Sequence, residues 1–110
     1  MKEQLSLLFG AMAESRGALF AAIEDEAEKR EDLKSSEAAI LNMCDPKTLG
    51  PNEAARTAAI RAKTVDERTA LEDAEKAKRA AQYRYEVDCL AVDCLKWQIR
   101  ADLAAKGMVI

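Results

Sequence analysis

The chain has 110 residues, 49% hydrophobic and 34% charged, with a formal net charge of -3 and no histidine. That length fits a single domain, and only 5% aromatic residues, four Gly and two Pro argue against sheet and in favour of long helices. The absence of histidine removes the usual general base near neutral pH.

Charge is distributed unevenly: residues 1–45 hold five basic and ten acidic side chains, residues 46–110 twelve and ten. Such asymmetry can steer antiparallel helices together or favour an acidic partner, although its plainest reading is a solvated surface. The opening residues and the apolar run Leu5–Ala13, with Ala11-Met12-Ala13 as a small-residue site, resemble a secretory leader. Against that, Glu3 sits where a positive charge belongs and the apolar periodicity continues beyond Ala13. No segment approaches the ~20 apolar residues needed to cross a bilayer, so the expectation is a cytoplasmic protein with no membrane partner.

A first helix is expected over residues 2–44. Leu5, Phe9, Met12, Leu19, Ile23, Leu33, Ile40 and Cys44 follow alternating three- and four-residue steps. The same register puts Arg16, Glu26, Arg30 and Glu37 in the seam, so its middle should pack less well than its ends. Gly10, Ala13, Gly17 and Ala21 make a separate small-residue track, read mainly as tolerance of small residues in a helix.

Asp45-Pro46 ends this helix and Gly50-Pro51 breaks the chain again. The connector with its short helix spans residues 45–63; Asn52 caps the short helix, which begins at Glu53. Lys47, Arg56, Arg61 and Lys63 form a basic cluster there, a possible contact for an anion or nucleic acid, with ordinary surface charge as the plain alternative.

Thr64 and Glu67 fit a capping box, so the last helix either begins near Val65 or continues unbroken from the short one. It spans residues 65–106, with Gly107 as its C-terminal cap and residues 107–110 an apolar tail. Two sets of apolar residues recur along it. Tyr83, Val87, Leu90, Cys94, Trp97 and Ala101 form one; Tyr85, Cys89, Val92, Leu95, Ile99 and Leu103 form the other, about 180° away. One set can be covered by the first helix; Leu95, Ile99 and Leu103 are assigned to it, although spacing alone does not choose and exchanging the two sets leaves the argument intact. The other then needs a second copy of the chain, or a fold-back of the short helix and tail. Tyr83, Tyr85 and Trp97 near Lys76, Lys78, Arg79 and Arg84 also raise base stacking, but aromatics at helical spacing are more often core.

Cys44, Cys89 and Cys94 are odd in number, and five residues of helix separate the last two by about 8 Å, too far for an unstrained bridge. Reduced thiols fit the cytoplasm. No Glu-x-x-His pair, phosphate-binding glycine loop or serine elbow occurs, so neither catalytic residue, cofactor nor metal is expected.

Leu49-Gly50-Pro51-Asn52-Glu53-Ala54-Ala55-Arg56, followed by a charged helix ending in Trp97-Gln98-Ile99-Arg100, resembles small helical proteins encoded by phages and prophages, many without an assigned role. The likeness covers roughly residues 49–105 and implies an accessory protein of a mobile element; it carries over no catalytic residue. The expectation is therefore an all-α, noncatalytic interaction or scaffold protein. It is a single elongated domain over residues 1–110, with two long antiparallel helices in a hairpin. It assembles through its last helix into an oligomeric bundle, most simply a homodimer, or binds an unidentified protein partner. The alternative is a small nucleic-acid-associated protein acting through the basic connector.

Overall fold

The computed structural model describes residues 2–107. It is 92% helical, and no strand occurs among the described residues. Four helices follow one another: α1 (Lys2–Met43), α2 (Pro46–Leu49), α3 (Glu53–Lys63) and α4 (Val65–Ala105). The long helices α1 and α4 pack against each other as the arms of a hairpin. The expected apolar tail beyond Gly107 lies outside the described residues.

The ends of these helices follow from local chemistry. Asp45 ends α1 and also starts α2, a turn the sequence reading leaves inside the connector. Its carboxylate Oδ1 accepts from the Lys47 N–H at 3.0 Å, and its carbonyl accepts from the Thr48 N–H at 2.9 Å and from Thr48 Oγ1 at 2.6 Å. Pro46 then takes the first helical position, where no N–H is needed. Asn52 caps α3 as expected, its Oδ1 accepting from the Ala55 N–H at 2.8 Å. Gly50, at φ +156, lies so near α3 that an added Cβ would stand 2.6 Å from Ala55 Cβ.

The chain does break at Thr64, which settles the alternative left open by the sequence. Thr64 is fully buried. Its hydroxyl donates to the Ile60 carbonyl at 2.8 Å and accepts from Arg68 Nε at 3.2 Å, while the Glu67 carboxylate accepts from Ser36 Oγ at 3.4 Å. Both side chains of the supposed capping box are thus engaged elsewhere. Gly107, at φ +78, closes α4, with its N–H donating to the Ala104 carbonyl at 3.0 Å.

The chain gathers into two compact units. One comprises the described residues of Met1–Ala21 and Arg79–Ile110. Here α1 turns Leu5, Leu8, Met12, Ser15 and Leu19 inward, and α4 answers with Val92 and Leu95, both buried, flanked by half-buried Tyr85, Ile99 and Leu103. Ser15 is fully buried, its hydroxyl donating to the Met12 carbonyl at 3.1 Å.

The second unit, Ala22–Lys78, has an apolar core of Leu33, Leu49, Leu71 and Ala74 and an ionic centre. Glu26, 8% exposed, receives Arg30 Nη2 on Oε1 at 2.9 Å and Lys78 Nζ beside Oε2 at 2.6 Å. Arg30 reaches Glu75 at 3.3 Å, and Arg68 pairs with Glu37 at 2.9 Å. As residue numbers rise on α1 through 26, 30 and 37, their partners fall on α4 through 78, 75 and 68, the signature of antiparallel helices.

The phase of the α1 stripe differs from the sequence reading. The inward positions are Leu5, Leu8, Met12, Ser15 and Leu19, then Ala22, Glu26, Lys29, Leu33, Ser36 and Ile40. Phe9 and Ile23 are instead 39% and 44% exposed. Arg16 and Arg30 are exposed while Ser15 and Lys29 turn in. Two phases of three-and-four spacing pass through the same Leu5, Met12, Leu19, Leu33 and Ile40. The bulk of Phe9 and Ile23 favours one, whereas the structure takes the other, with the small Ser15 and Ala22 among the inward positions.

Gly50→Ala should cost about 1–3 kcal/mol through the clash with Ala55 and the strained φ. Gly17→Ala, whose added Cβ meets nothing within 4 Å, should instead gain about 0.5–1 kcal/mol of helix stability. Paired thermal unfolding curves separate these opposite signs.

Lys78 first, and then Arg30, hold the Glu26 carboxyl below its ordinary value of 4.5. A depressed folded-state pKa stabilises the fold above the unfolded value, and the contribution disappears as pH falls through the folded one. The gap in thermal midpoint between wild type and Glu26→Gln should therefore be widest near neutrality and narrow below pH 4.5; a constant gap would contradict this.

Candidate interaction surface

At 100° per residue, two sets of side chains on opposite sides of α4 meet very different surroundings. The set of Tyr85, Cys89, Val92, Leu95, Ile99 and Leu103 is buried or half-buried, with Val92 only 2% exposed. Leu95, Ile99 and Leu103 thus take the inward side expected of them. All six members of the other set, Tyr83, Val87, Leu90, Cys94, Trp97 and Ala101, are exposed. Tyr83 is 70%, Leu90 63% and Trp97 68% exposed, so no described residue folds back to cover this stripe. Arg100 stacks over the Trp97 ring at 5.3 Å.

The outer side of α1 in the same unit is also apolar but smaller in relief. Gly10 and Gly17 open onto free space, and Ala13 and Ala21 are exposed. Phe9 carries Lys96 over its ring at 5.4 Å and Phe20 carries Arg16 at 5.3 Å. A stretch of α1 near the N-terminus reaches a mean hydropathy of 1.2, enough by length and composition to cross a membrane. This departs from the expectation that no segment would. Ala between the Leu and Phe residues keeps the average high without forming a continuous run of large apolar side chains.

The basic connector residues do not converge. Lys47 and Arg56 line one shallow depression with Gly50 and Pro51, while Arg61 lines another with Asn52 and Glu53. Lys63 approaches Cys44 Sγ at 3.8 Å. Arg56 Nε donates to the Asn52 carbonyl at 3.2 Å, and Arg61 points about 140° away from Arg56 around α3. Of the basic residues beside the aromatics, Lys78 is taken up by Glu26.

Comparison with known protein families, with curated proteins and with solved structures finds no match. The likeness of residues 49–105 to phage-encoded helical proteins therefore rests on those residues alone.

Other chemistry is sparse. Among the described residues no group of three or more Cys, Asp or Glu side chains is placed to hold a metal ion. Cys44, Cys89 and Cys94 are free, and only Cys94 is exposed. The neighbouring Cys89 thiol, first through a side-chain hydrogen bond, raises the Tyr85 phenol above its ordinary value of 10.0. Glu26 lies in the seam as its spacing predicts, and the structure adds the Lys78 that neutralises it.

The two sides of α4 should respond differently to truncation. Leu95→Ala removes a buried side chain and should cost about 2–5 kcal/mol at any protein concentration. Leu90→Ala should shift a dilute sample by no more than about 0.5 kcal/mol. Any larger effect of Leu90→Ala should appear only as concentration rises, as read by unfolding series at several concentrations.

Proposed function

We propose that this chain is a noncatalytic helical interaction protein that self-associates through the outer side of α4, most simply as a homodimer. The supporting observation is the exposed stripe Tyr83, Val87, Leu90, Cys94, Trp97 and Ala101, directly opposite the stripe packed on α1. Burying a Val or Leu side chain gains roughly 1.5–3 kcal/mol. Leaving the stripe in water thus forfeits an amount comparable with a domain's net stability of about 5–15 kcal/mol.

Surface area points the same way. The chain exposes 8120 Å² at 12.1 kDa, against about 6,000 Å² for a typical folded monomer of that mass. The excess of roughly 2,100 Å² per chain is more than the roughly 600–1,000 Å² per partner that a stable pair of chains of standard size removes from water. Protein suits these surfaces better than lipid. Glu86, Asp93 and Arg100 recur along one margin of the stripe, and Glu14 and Arg16 interrupt the apolar part of α1; charges at such positions are costly in hydrocarbon.

In this reading the protein works as a scaffold or accessory factor in the cytoplasm, where its three free thiols stay reduced. The phage-like connector and helix support a role in a mobile genetic element. Sedimentation at micromolar concentration should show a dimer, and Trp97→Asp should convert it to a folded monomer. A wild-type chain that stays monomeric as concentration rises, or a Trp97→Asp variant of unchanged mass, would reject the proposal.

A further inference from the structure

We infer that the second copy lies antiparallel along α4, with a two-fold axis passing between Leu90 and Cys94. This rests on the self-association reading above and specifies its geometry.

Side-chain size is the first reason. A two-fold axis at that level sets Leu90 against Cys94 of the second copy, Val87 against Trp97, and Tyr83 against Ala101. Each layer joins a larger side chain to a smaller one, the condition for even packing between facing helices. Parallel, in-register pairing stacks Trp97 on Trp97 and Tyr83 on Tyr83, and leaves Ala101 facing Ala101. Crowded layers then alternate with hollow ones.

The polar margins of the stripe agree. Glu86 and Arg100 lie along one margin, Arg84 and Asp102 along the other, and all four are exposed. Antiparallel pairing about this axis brings Glu86 towards Arg100 of the second copy and Arg84 towards Asp102. Symmetry makes each attraction occur twice. The one like-charge approach is Asp93 with its own symmetry mate near the axis. Parallel pairing also sets Arg79 beside Arg84 of the second copy.

Cysteine cross-linking of the full chain tests the direction. Cys44→Ser and Cys94→Ser give a background in which Tyr83→Cys and Ala101→Cys are introduced on separate chains, with sedimentation first establishing dimers. Mixing the two variants should yield cross-linked heterodimers with a short bismaleimide. Neither variant alone should cross-link, because equivalent positions would be about 27 Å apart along the helices at 1.5 Å per residue. Self-cross-linking of Ala101→Cys in a dimeric sample overturns the antiparallel geometry and leaves self-association standing. A chain that is monomeric in every background overturns both.

A charge exchange gives an independent reading on exposed residues that leave folding intact. Glu86→Arg should weaken dimerisation, and Arg100→Glu in the same chain should restore it. Failure of the double exchange to restore dimerisation counts against the axis.

Discussion

A helix can turn only one of its sides to a single neighbour, and α4 carries large apolar side chains on two. The side bearing Val92 and Leu95 is spent on α1. The whole first unit is arranged around that contact, with Leu8, Met12 and Leu19 supplying its other half. Whatever meets Leu90 and Trp97 has to come from beyond this contact, because α1 cannot reach round the helix it already packs against. The outward stripe is thus a direct consequence of how the hairpin core is filled.

Much of this was legible in the chain. Pro46, Gly50, Asn52 and Gly107 marked the helix ends because each acts through its own backbone or a neighbour within four residues. That α4 carries two opposed apolar sides was legible because both sets recur at helical spacing; which of them meets α1 was not, since Tyr83, Leu90 and Trp97 are as large and as regular as Leu95, Ile99 and Leu103. The phase of α1 was not, since periodicity alone fits Phe9 and Ile23 as well as it fits Leu8 and Ala22. That choice is a property of the pair of helices rather than of either one. The same holds at Thr64 and Glu67, whose local capping pattern gives way to partners at Ile60, Arg68 and Ser36.

Function was less legible for a different reason. Catalytic and metal sites announce themselves through residue types whose chemistry demands particular spacings. An interaction surface is written in the same Leu, Val and Trp residues as a core, and only burial tells them apart. The basic connector illustrates the converse. Lys47, Arg56, Arg61 and Lys63 look like a cluster along the chain, yet the turn of α3 directs Arg61 away from Arg56.

The ionic centre of the second unit has a structural logic of its own. Buried ion pairs are weak contributors to stability because desolvation offsets much of their attraction, and their best-attested role is to fix alignment. A seam of Leu and Ala repeating every seven residues leaves successive repeats nearly interchangeable, so two helices could slide by one repeat at little cost. Glu26 removes that freedom. A slide of seven residues in either direction replaces Lys78 with Leu71 or Tyr85, leaving a nearly buried carboxylate with only Arg30 of its own helix as a cation. Arg30 with Glu75 and Arg68 with Glu37 would be displaced in the same movement. The charges that interrupt the apolar stripe of α1 therefore weaken its hydrophobic contact while determining which repeat of α4 it meets.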